Sequence, residues 1–428
     1  MSAPARPPEG RATSPGEDVA QRQEGSPVST GDKRIAIAGA GIGGLAAGLA
    51  LLKQGFDVDI YEQAAELGEV GAGVQISPNG TRLLQAWGLG DAMFELGTQT
   101  KGKEIRVWNT ADANRYLELG AASVSKYGAP YLTFHRADLH ALLLDAVRRE
   151  KRDAIHLNAA FASLETADGG AQMRLASGRT VRADVLIGAD GVHSKVRQSL
   201  FGADRPRFTG CMAWRGLIEA DRLPASINRT GGVSWLGPTA HVLTYPIRKG
   251  RMLNFIGMVD RADWTVESWN ARGTIEECLR DFQGWHEDVI AMIERIEVPY
   301  KWALIVRDTL PVWVRGHVAL LGDACHSTLP FMAQGANMAL EDAMVLGRCL
   351  RRTPGDLPAA LASYERMRVE RTTRIVNESA AQITRVHAPV LAEAGSARDH
   401  IQREWEPHRV EDRYDWVYGY DAIEQPFA

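Results

Sequence analysis

The stretch that most constrains this chain runs from Lys33 to Glu62, KRIAIAGAGIGGLAAGLALLKQGFDVDIYE. Its apolar run Ile35-Ala36-Ile37-Ala38 has the length and character of a buried parallel strand. Gly39-Ala40-Gly41-Ile42-Gly43-Gly44 follows, a G-x-G-x-x-G with Gly39, Gly41 and Gly44 in register. In such a turn the first glycine permits the tight bend, the second lets backbone approach a pyrophosphate, and the third lets helix pack on strand. An Ala/Leu-rich helix ending near Gly55 and a second strand, Asp57 to Tyr61, then deliver Glu62, twenty-three residues past Gly39. That is close to the spacing at which a carboxylate accepts a ribose hydroxyl. The unpaired amides at the helix start suit a diphosphate. Strand, glycine turn, helix, strand and acid together predict dinucleotide binding, with FAD and NAD(P) both open at this point.

At 428 residues the chain exceeds the usual span of one core, so two domains are expected. A net charge of −4 argues against a nucleic-acid partner and gives no reason to expect a membrane surface. No apolar run approaches the roughly 18 residues that span a bilayer. Cys211, Cys278, Cys325 and Cys349 are widely spaced with no C-x-x-C. Free buried thiols in a reducing cytoplasm account for them better than a metal or disulfide framework, so no metal is expected. Residues 1–32 are rich in Pro, Gly, Ser and charge and read as a disordered extension without a secretory h-region.

Past Glu62, the glycines of Gly68 to Gly73 imply backbone running close to something large and flat, before a helix that begins at Pro78-Asn79. Ile105–Val107 and Tyr116–Leu117 read as short strands. Arg136 precedes a helix carrying Leu142, Leu143 and Val147, where a guanidinium can reach a phosphate or ribose edge. Ile155 to Val181 alternates like an antiparallel meander turning at Asp168-Gly169-Gly170 and at Gly178. The apolar strand at 184–188 feeds Ala189-Asp190-Gly191, a second polar turn at the carboxyl end of a strand, where open α/β sheets bind ligands.

From Arg207 to Tyr300 alternating strands carry many aromatics, Trp264 and Trp269 among them, and predict a mainly antiparallel sheet walling a pocket. Helices are expected around 275–282 and 289–296. A third buried strand, Val318 to Leu321, ends in Gly322-Asp323, and Gln334-Gly335-Ala336-Asn337 opens a further helix. That helix start is a preformed anion site. Helices through 364–374 and 380–394 and an aromatic tail with Trp416, Tyr418 and Tyr420 complete the chain.

These three motifs, in this order, resemble the single-component FAD-dependent aromatic hydroxylases of the para-hydroxybenzoate hydroxylase fold. The likeness runs from Lys33 to the C-terminal tail. It implies a Rossmann-like α/β FAD-binding domain (33–205 and 301–375), an inserted mainly antiparallel β-sheet substrate domain (206–300) and a C-terminal helix and aromatic tail (376–428). Segment 75–110 is a candidate contributor to the substrate sheet. The resemblance also assigns cofactor contacts: Gly39, Gly41, Gly44 and Glu62 on the ADP half of FAD, and Asp190-Gly191 with Ser194 and Arg197 as the DG motif, implicated in both FAD and NAD(P)H binding. Asp323 of Gly322-Asp323 would meet the ribityl chain, the loop Gln334-Gly335-Ala336-Asn337 the isoalloxazine and Arg136 the flavin, with Gln63 and Gln75 also cofactor-binding.

Within the family the chain looks most like salicylate hydroxylases, 3-hydroxybenzoate 6-hydroxylases and 6-hydroxynicotinate 3-monooxygenases. The shared features are Gly71-Ala72-Gly73, Met332-Ala333-Gln334-Gly335, the Trp416-Val417-Tyr418-Gly419 tail and the pair His241 and Tyr245. Gln75 stands where the hydroxynicotinate enzymes have an active-site His, and Pro330 and Phe331 where some relatives have Gln or His. A comparatively apolar benzenoid pocket, also lined by Cys211, Trp214 and Arg215, is therefore expected.

The resemblance implies NADH or NADPH and O2 as co-substrates and hydroxylation through a flavin C4a-hydroperoxide. The substrate would be a monocyclic hydroxylated aromatic acid such as salicylate, with Arg215, Arg248 or His241 meeting its carboxylate. His241 would act as base and Tyr245 would orient the ring hydroxyl. A cytoplasmic enzyme is expected, with homodimerisation only the family's habit. Alternatives on the same fold are a hydroxypyridine-carboxylate hydroxylase, a flavin oxidase and a non-catalytic flavin sensor.

Overall fold

The computed structural model describes residues 1, 30–68, 72–167, 169–203, 206–261, 263 and 271–427. The expected disorder of 1–32 falls mostly outside them, as do Gly71, Asp168, Trp264 and Trp269. Thr30–Asp32 forms a 3-10 turn.

Arg34–Ala38 is the middle of a six-stranded sheet, with Asp57–Tyr61 and Ile155–His156 on one side and Val185–Gly188 and Val318–Leu320 on the other. All these pairs are parallel, and a short antiparallel strand, Val314–Arg315, closes the edge. Ile35, Ile37, Val58, Ile60, Val185 and Ile187 are fully buried, as strands covered by helices on both faces must be. Parallel pairing brings the carboxyl ends of three separated strands to one edge. The glycine turn at 39, the Asp190 turn and the Gly322 turn thereby become neighbours.

The second large sheet has eight strands in the order Ala271–Arg272, Tyr300–Val306, Arg207–Glu219, Met252–Asp260, Ala240–Ile247, Gly232–Leu236, Gly102–Val107 and Ala113–Glu118. It is antiparallel except where Gly232–Leu236 runs parallel to Gly102–Val107. Two sequence-based boundaries need correction. Tyr300–Val306 pairs along Arg207–Glu219, so the sheet extends past the 206–300 segment. Of 75–110, only Gly102–Val107 joins it, continuing into Ala113–Glu118, while Gly73–Ile76 pairs with Leu132–His135 in a separate three-stranded sheet.

The eight-stranded sheet buries both faces. One packs Trp214, Val242, Phe255 and Phe282 beneath the helices Ile275–Asp281 and Glu287–Ile293. The other packs Cys211, Ala213 and Met258 against Leu329, Phe331 and Ala380, and Ile105, Val107 and Leu236 against the C-terminal tail. The expected helix over 380–394 is broken. Leu357–Ala381 ends early, short turns occupy Ile383–Val386 and Pro389–Ala392, and helices resume at Ala394–Glu404 and Pro407–Tyr418. Pro389 has no N–H to donate and disfavours helical backbone at Ala388, which is extended and separates the turn Ile383–Val386 from Pro389–Ala392. The aromatic tail is thus largely helix, with Tyr414, Val417 and Tyr418 buried against Tyr131 and Leu391. No helix among the described residues is long and apolar enough to cross a membrane.

Candidate active site

At the first turn, Gly39 has φ +105°, and a Cβ there would lie 2.4 Å from the Ala189 carbonyl oxygen. A Cβ on Gly44 would lie 2.0 Å from the Gly39 oxygen. Only glycine lets these backbones touch. Around Gly41 the position of a Cβ meets nothing within 4 Å, so open space faces the start of the helix Ile42–Lys53. Glu62 closes this corner, its carboxylate accepting from Ala40 N–H at 2.8 Å and Ala64 N–H at 2.9 Å. A carboxylate offers about four acceptor sites, leaving capacity for a ribose hydroxyl. Gln63 is exposed just beyond. Gly39→Ala should therefore yield protein with at least tenfold lower flavin retention, read as the ratio of flavin to protein absorbance after purification. Wild-type flavin content in that variant would show that the backbone contact is dispensable.

Asp190 builds its turn: its carboxylate accepts from the Ser194 hydroxyl and from Lys195 N–H at 2.7 Å, and Ser194 in turn caps the helix Lys195–Phe201. Burial raises the Asp190 carboxyl despite those bonds. The Asp190 side chain thus shapes the loop that Gly39 packs against. At the third turn Gly322 has φ +66° and Asp323 is exposed. The helix Gly335–Arg352 presents its first-turn amides nearby. Asn337 is committed to structure. Its Nδ2 donates to the Gln75 oxygen at 3.1 Å and the Ala333 oxygen at 2.8 Å, and its Oδ1 accepts from Ser77 N–H at 3.0 Å. It sews the Gly73–Ile76 strand to the 330–337 loop, and Gly335 and Ala336 are left to offer backbone.

Behind this loop lies a charged cluster that the sequence reading did not single out. Arg368, fully buried, donates to Asp342 at 2.7 Å and Glu341 at 2.8 Å. Arg371 forks onto Glu341, and His326 meets Asp342 at 2.6 Å. Asp342 also accepts from Gly322 N–H at 3.1 Å, and Glu341 from Asn79 at 2.7 Å, so the cluster fixes both turns. The legible hint was Glu341-Asp342 inside an otherwise apolar helical run.

Between the eight-stranded sheet, the 330–333 loop and the C-terminal helices opens a cleft of about 730 Å³ of non-atom space, its mouth included. Gln75, His241, Pro330, Phe331 and Met332 line it, as do Lys103, Tyr116, Trp405 and Tyr414. His241 is buried, its ring 5.6 Å from that of Phe331. Its Nδ1 lies 2.7 Å from His387 Nε2, and His387 Nδ1 lies 2.7 Å from Asp260 Oδ1. The carboxylate can only accept, so His387 carries its proton on Nδ1 and accepts at Nε2. His241 must then hold its proton on Nδ1, which leaves an Nε2 lone pair with no partner among the described residues. Burial, aided by the neighbouring His387, holds the His241 pKa well below the ordinary histidine range, so at pH 7 it is a neutral acceptor.

The other sequence candidates divide by strand alternation. Cys211 and Arg215 share the face of His241, but neither lines the cleft. Burial pushes the Cys211 thiol up to about 12, which leaves it inert, and all four cysteines are free and buried. Arg215 is lowered to about 10 by burial and by Arg136. Arg136 itself opens the helix Arg136–Glu150. Trp214 is corrected: one residue out of phase, it faces the helices, and its Nε1 donates to Asp281 at 2.8 Å. Tyr245 shares the face of His241 but sits four residues along the strand, against Gly73, and burial raises its pKa. Arg248 is taken by Asp138 through two bonds of 3.0 Å. The expected apolar chamber instead has Gln75, Lys103, Ser234, His241 and Gln382 among its lining.

Sequence reasoning missed His387, Asp260, Trp405 and Tyr414 because each lies far in sequence from the motifs. The apolar spacing Val410, Tyr414, Val417, Tyr418 was the available signal for a buried tail helix.

A family model described as FAD binding domain matches residues 32–379. The chain is 37% identical over 397 residues to 3-amino-4-hydroxybenzoate 2-monooxygenase PtnB3 of Streptomyces platensis, covering 92% of this chain and 98% of that one. It is 38% identical over 346 residues to 6-hydroxynicotinate 3-monooxygenase of Pseudomonas fluorescens, covering 80% and 89%. Among solved structures, Klebsiella pneumoniae HpxO complexed with FAD and uric acid superposes with a TM-score of 0.78 at 27% identity, covering 90% of this chain and 97% of that one.

Proposed function

The chain belongs to the FAD binding domain family and is an FAD-dependent aromatic monooxygenase of the hydroxybenzoate and hydroxynicotinate hydroxylase group; from that premise we propose that its substrate is a monocyclic hydroxylated aromatic acid whose ring hydroxyl gives its proton to His241. NADH or NADPH and O2 are the co-substrates of this reaction. The open space before Gly41, the exposed Asp323 and the first-turn amides at Gly335 fit FAD. When bound, FAD supplies the reducing and oxygen-activating chemistry.

The observation that carries the proposal is the line Asp260, His387, His241, which ends in an acceptor nitrogen at the cleft. An aromatic ring attacks an electrophilic oxygen faster as a phenolate, so a neutral imidazole beside the hydroxyl raises its reactivity. As His241 Nε2 takes the phenolic proton, its Nδ1 proton can pass to His387 Nε2, and the resulting cation is balanced by Asp260. The Asp260 side chain is 43% exposed, so the charge ends at solvent while the cleft stays dry. Asp260→Asn should lower kcat about tenfold with little change in KM and normal flavin content. An unchanged kcat would remove Asp260 from the relay.

The deciding experiment incubates the purified protein with NADH or NADPH and a panel of hydroxybenzoates, aminohydroxybenzoates and hydroxypyridine carboxylates. Substrate-stimulated coenzyme consumption and a product heavier by one oxygen are expected for at least one acid. Coenzyme consumption yielding only peroxide would favour an oxidase, and no response to any acid would sink the assignment. The pyridine class remains a second reading because Gln75, Ser234 and Gln382 can hydrogen-bond a ring nitrogen or its hydroxyl.

A further inference from the structure

Lys103 is the one lysine on the lining of the cleft. In the strand Gly102–Val107, alternation sends Glu104 and Arg106 to the outer face, where they pair at 2.8 Å and Arg106 also reaches Asp288 at 3.6 Å. Lys103 and Ile105 point inward. No ion pair to Lys103 occurs among the described residues. Its Nζ sits 4.7 Å from the centroid of the Tyr131 ring and 6.0 Å from that of Tyr414. Tyr116, Tyr414, Gln75 and Ser234 share the cleft lining with it, and burial raises the phenols of Tyr116, Tyr131 and Tyr414, so they are neutral. An ammonium held among neutral groups is costly, and burial brings Lys103 down to about 8. Aromatic faces offset part of that cost, and an incoming anion would offset more.

We propose that Lys103 anchors the substrate carboxylate at the end of the cleft opposite His241, and so selects rings whose hydroxyl is meta or para to the carboxylate. This rests on the aromatic-acid reading above. Register supplies the separation. Lys103 lies beside Gly232, and His241 beside Leu236, four residues farther along the intervening strand. Four residues along and two strand spacings across put their Cα atoms about 16 Å apart on one face. Two side chains so placed can each hydrogen-bond one end of a meta- or para-substituted ring, whereas the adjacent oxygens of a salicylate-type ring do not bridge them.

The test compares wild type, Lys103→Met and Lys103→Arg, each checked for normal flavin absorbance. Probes are 4-hydroxybenzoate, 3-hydroxybenzoate, salicylate and 3-amino-4-hydroxybenzoate, with the primary amide of whichever acid is turned over best. Kd is measured by calorimetry alongside kcat and KM. Wild type should prefer a meta or para acid to salicylate. Lys103→Met should raise Kd and KM for that acid about 100-fold, change them less than about threefold for its amide, and leave kcat nearly intact, with Lys103→Arg recovering part of the loss. Equal effects on acid and amide, or no effect on either, would overturn the anchor while leaving the hydroxylase assignment standing. Salicylate as the best wild-type substrate would overturn the geometric selection. If wild type turned over the amide or a neutral phenol but none of the acids, the aromatic-acid reading itself would fall, and the anchor with it.

Discussion

His241→Asn is expected to lower kcat for hydroxylation by roughly two to three orders of magnitude, with flavin content and coenzyme binding unchanged. Asparagine can still hydrogen-bond to His387 Nε2, so the wall of the cleft survives. What disappears is a nitrogen able to take up a proton. The pH profile separates this from a packing defect. His241 is neutral at pH 7 because burial and His387 hold its pKa down. In wild type kcat should stay level through neutrality and fall only on the acid side, below the unperturbed value of about 6.5. As pH drops through the lowered pKa the ring protonates and can no longer accept. In the variant that acid limb should be absent. Stopped-flow measurement of product formation across pH 5 to 9 checks both points. A kcat within threefold of wild type, with the limb retained, would mean that the base lies elsewhere.

The largest effect on stability is expected from Arg368→Met. Glu341, Asp342 and Arg368 are all wholly buried, and their bonds of 2.7 and 2.8 Å are each other's compensation. Burial by itself would raise both carboxyls, but Arg371 and Arg368 hold Glu341 below its ordinary range, and His326 and Arg368 do the same for Asp342. Methionine fills the volume and leaves the carboxylates short of charge. The loss should be about 3–5 kcal/mol in denaturant unfolding, accompanied by flavin release, because Asp342 also holds Gly322 N–H. The pH dependence should weaken. In wild type the depressed carboxyls contribute stability above their unfolded pKa of about 4, and it is lost as pH falls. In the variant Arg371 still lowers Glu341 and His326 still lowers Asp342, so this contribution should shrink and stability should fall less steeply from pH 7 to pH 4 than in wild type. A variant within 1 kcal/mol of wild type at pH 7 would show that the cluster is relaxed by water or local rearrangement.

Much of the fold was legible because local rules and long-range packing agree between Arg34 and Tyr61. The Gly39 turn, the helix to Lys53 and the strand ending at Tyr61 fall where glycine spacing and apolar runs put them. The meander at 161–183 and the strands 207–260 follow two-residue alternation in the same way. Alternation gives two faces without saying which one meets the cleft. Trp214 was therefore assigned to the wrong side while Cys211 and Arg215, in phase with each other, went to the cleft-side face. The C-terminal region was misread for a different reason. Its helices are short, and Pro389 divides a run that composition alone joins.

By itself the sequence determined the first glycine turn, because Gly39 and Gly44 stand where a Cβ would run into backbone, and it marked the turns at Asp190-Gly191 and Gly322-Asp323 by their place at the ends of apolar strands. Only the tertiary structure decided what stands behind His241. His387 and Asp260 come from a C-terminal turn and the end of a central strand, and they meet it solely because the tail folds back over the sheet. Lys103 likewise gains its setting only in three dimensions: packing of the tail helix brings Tyr414 beside Tyr131 and leaves the ammonium partly shielded among aromatic faces.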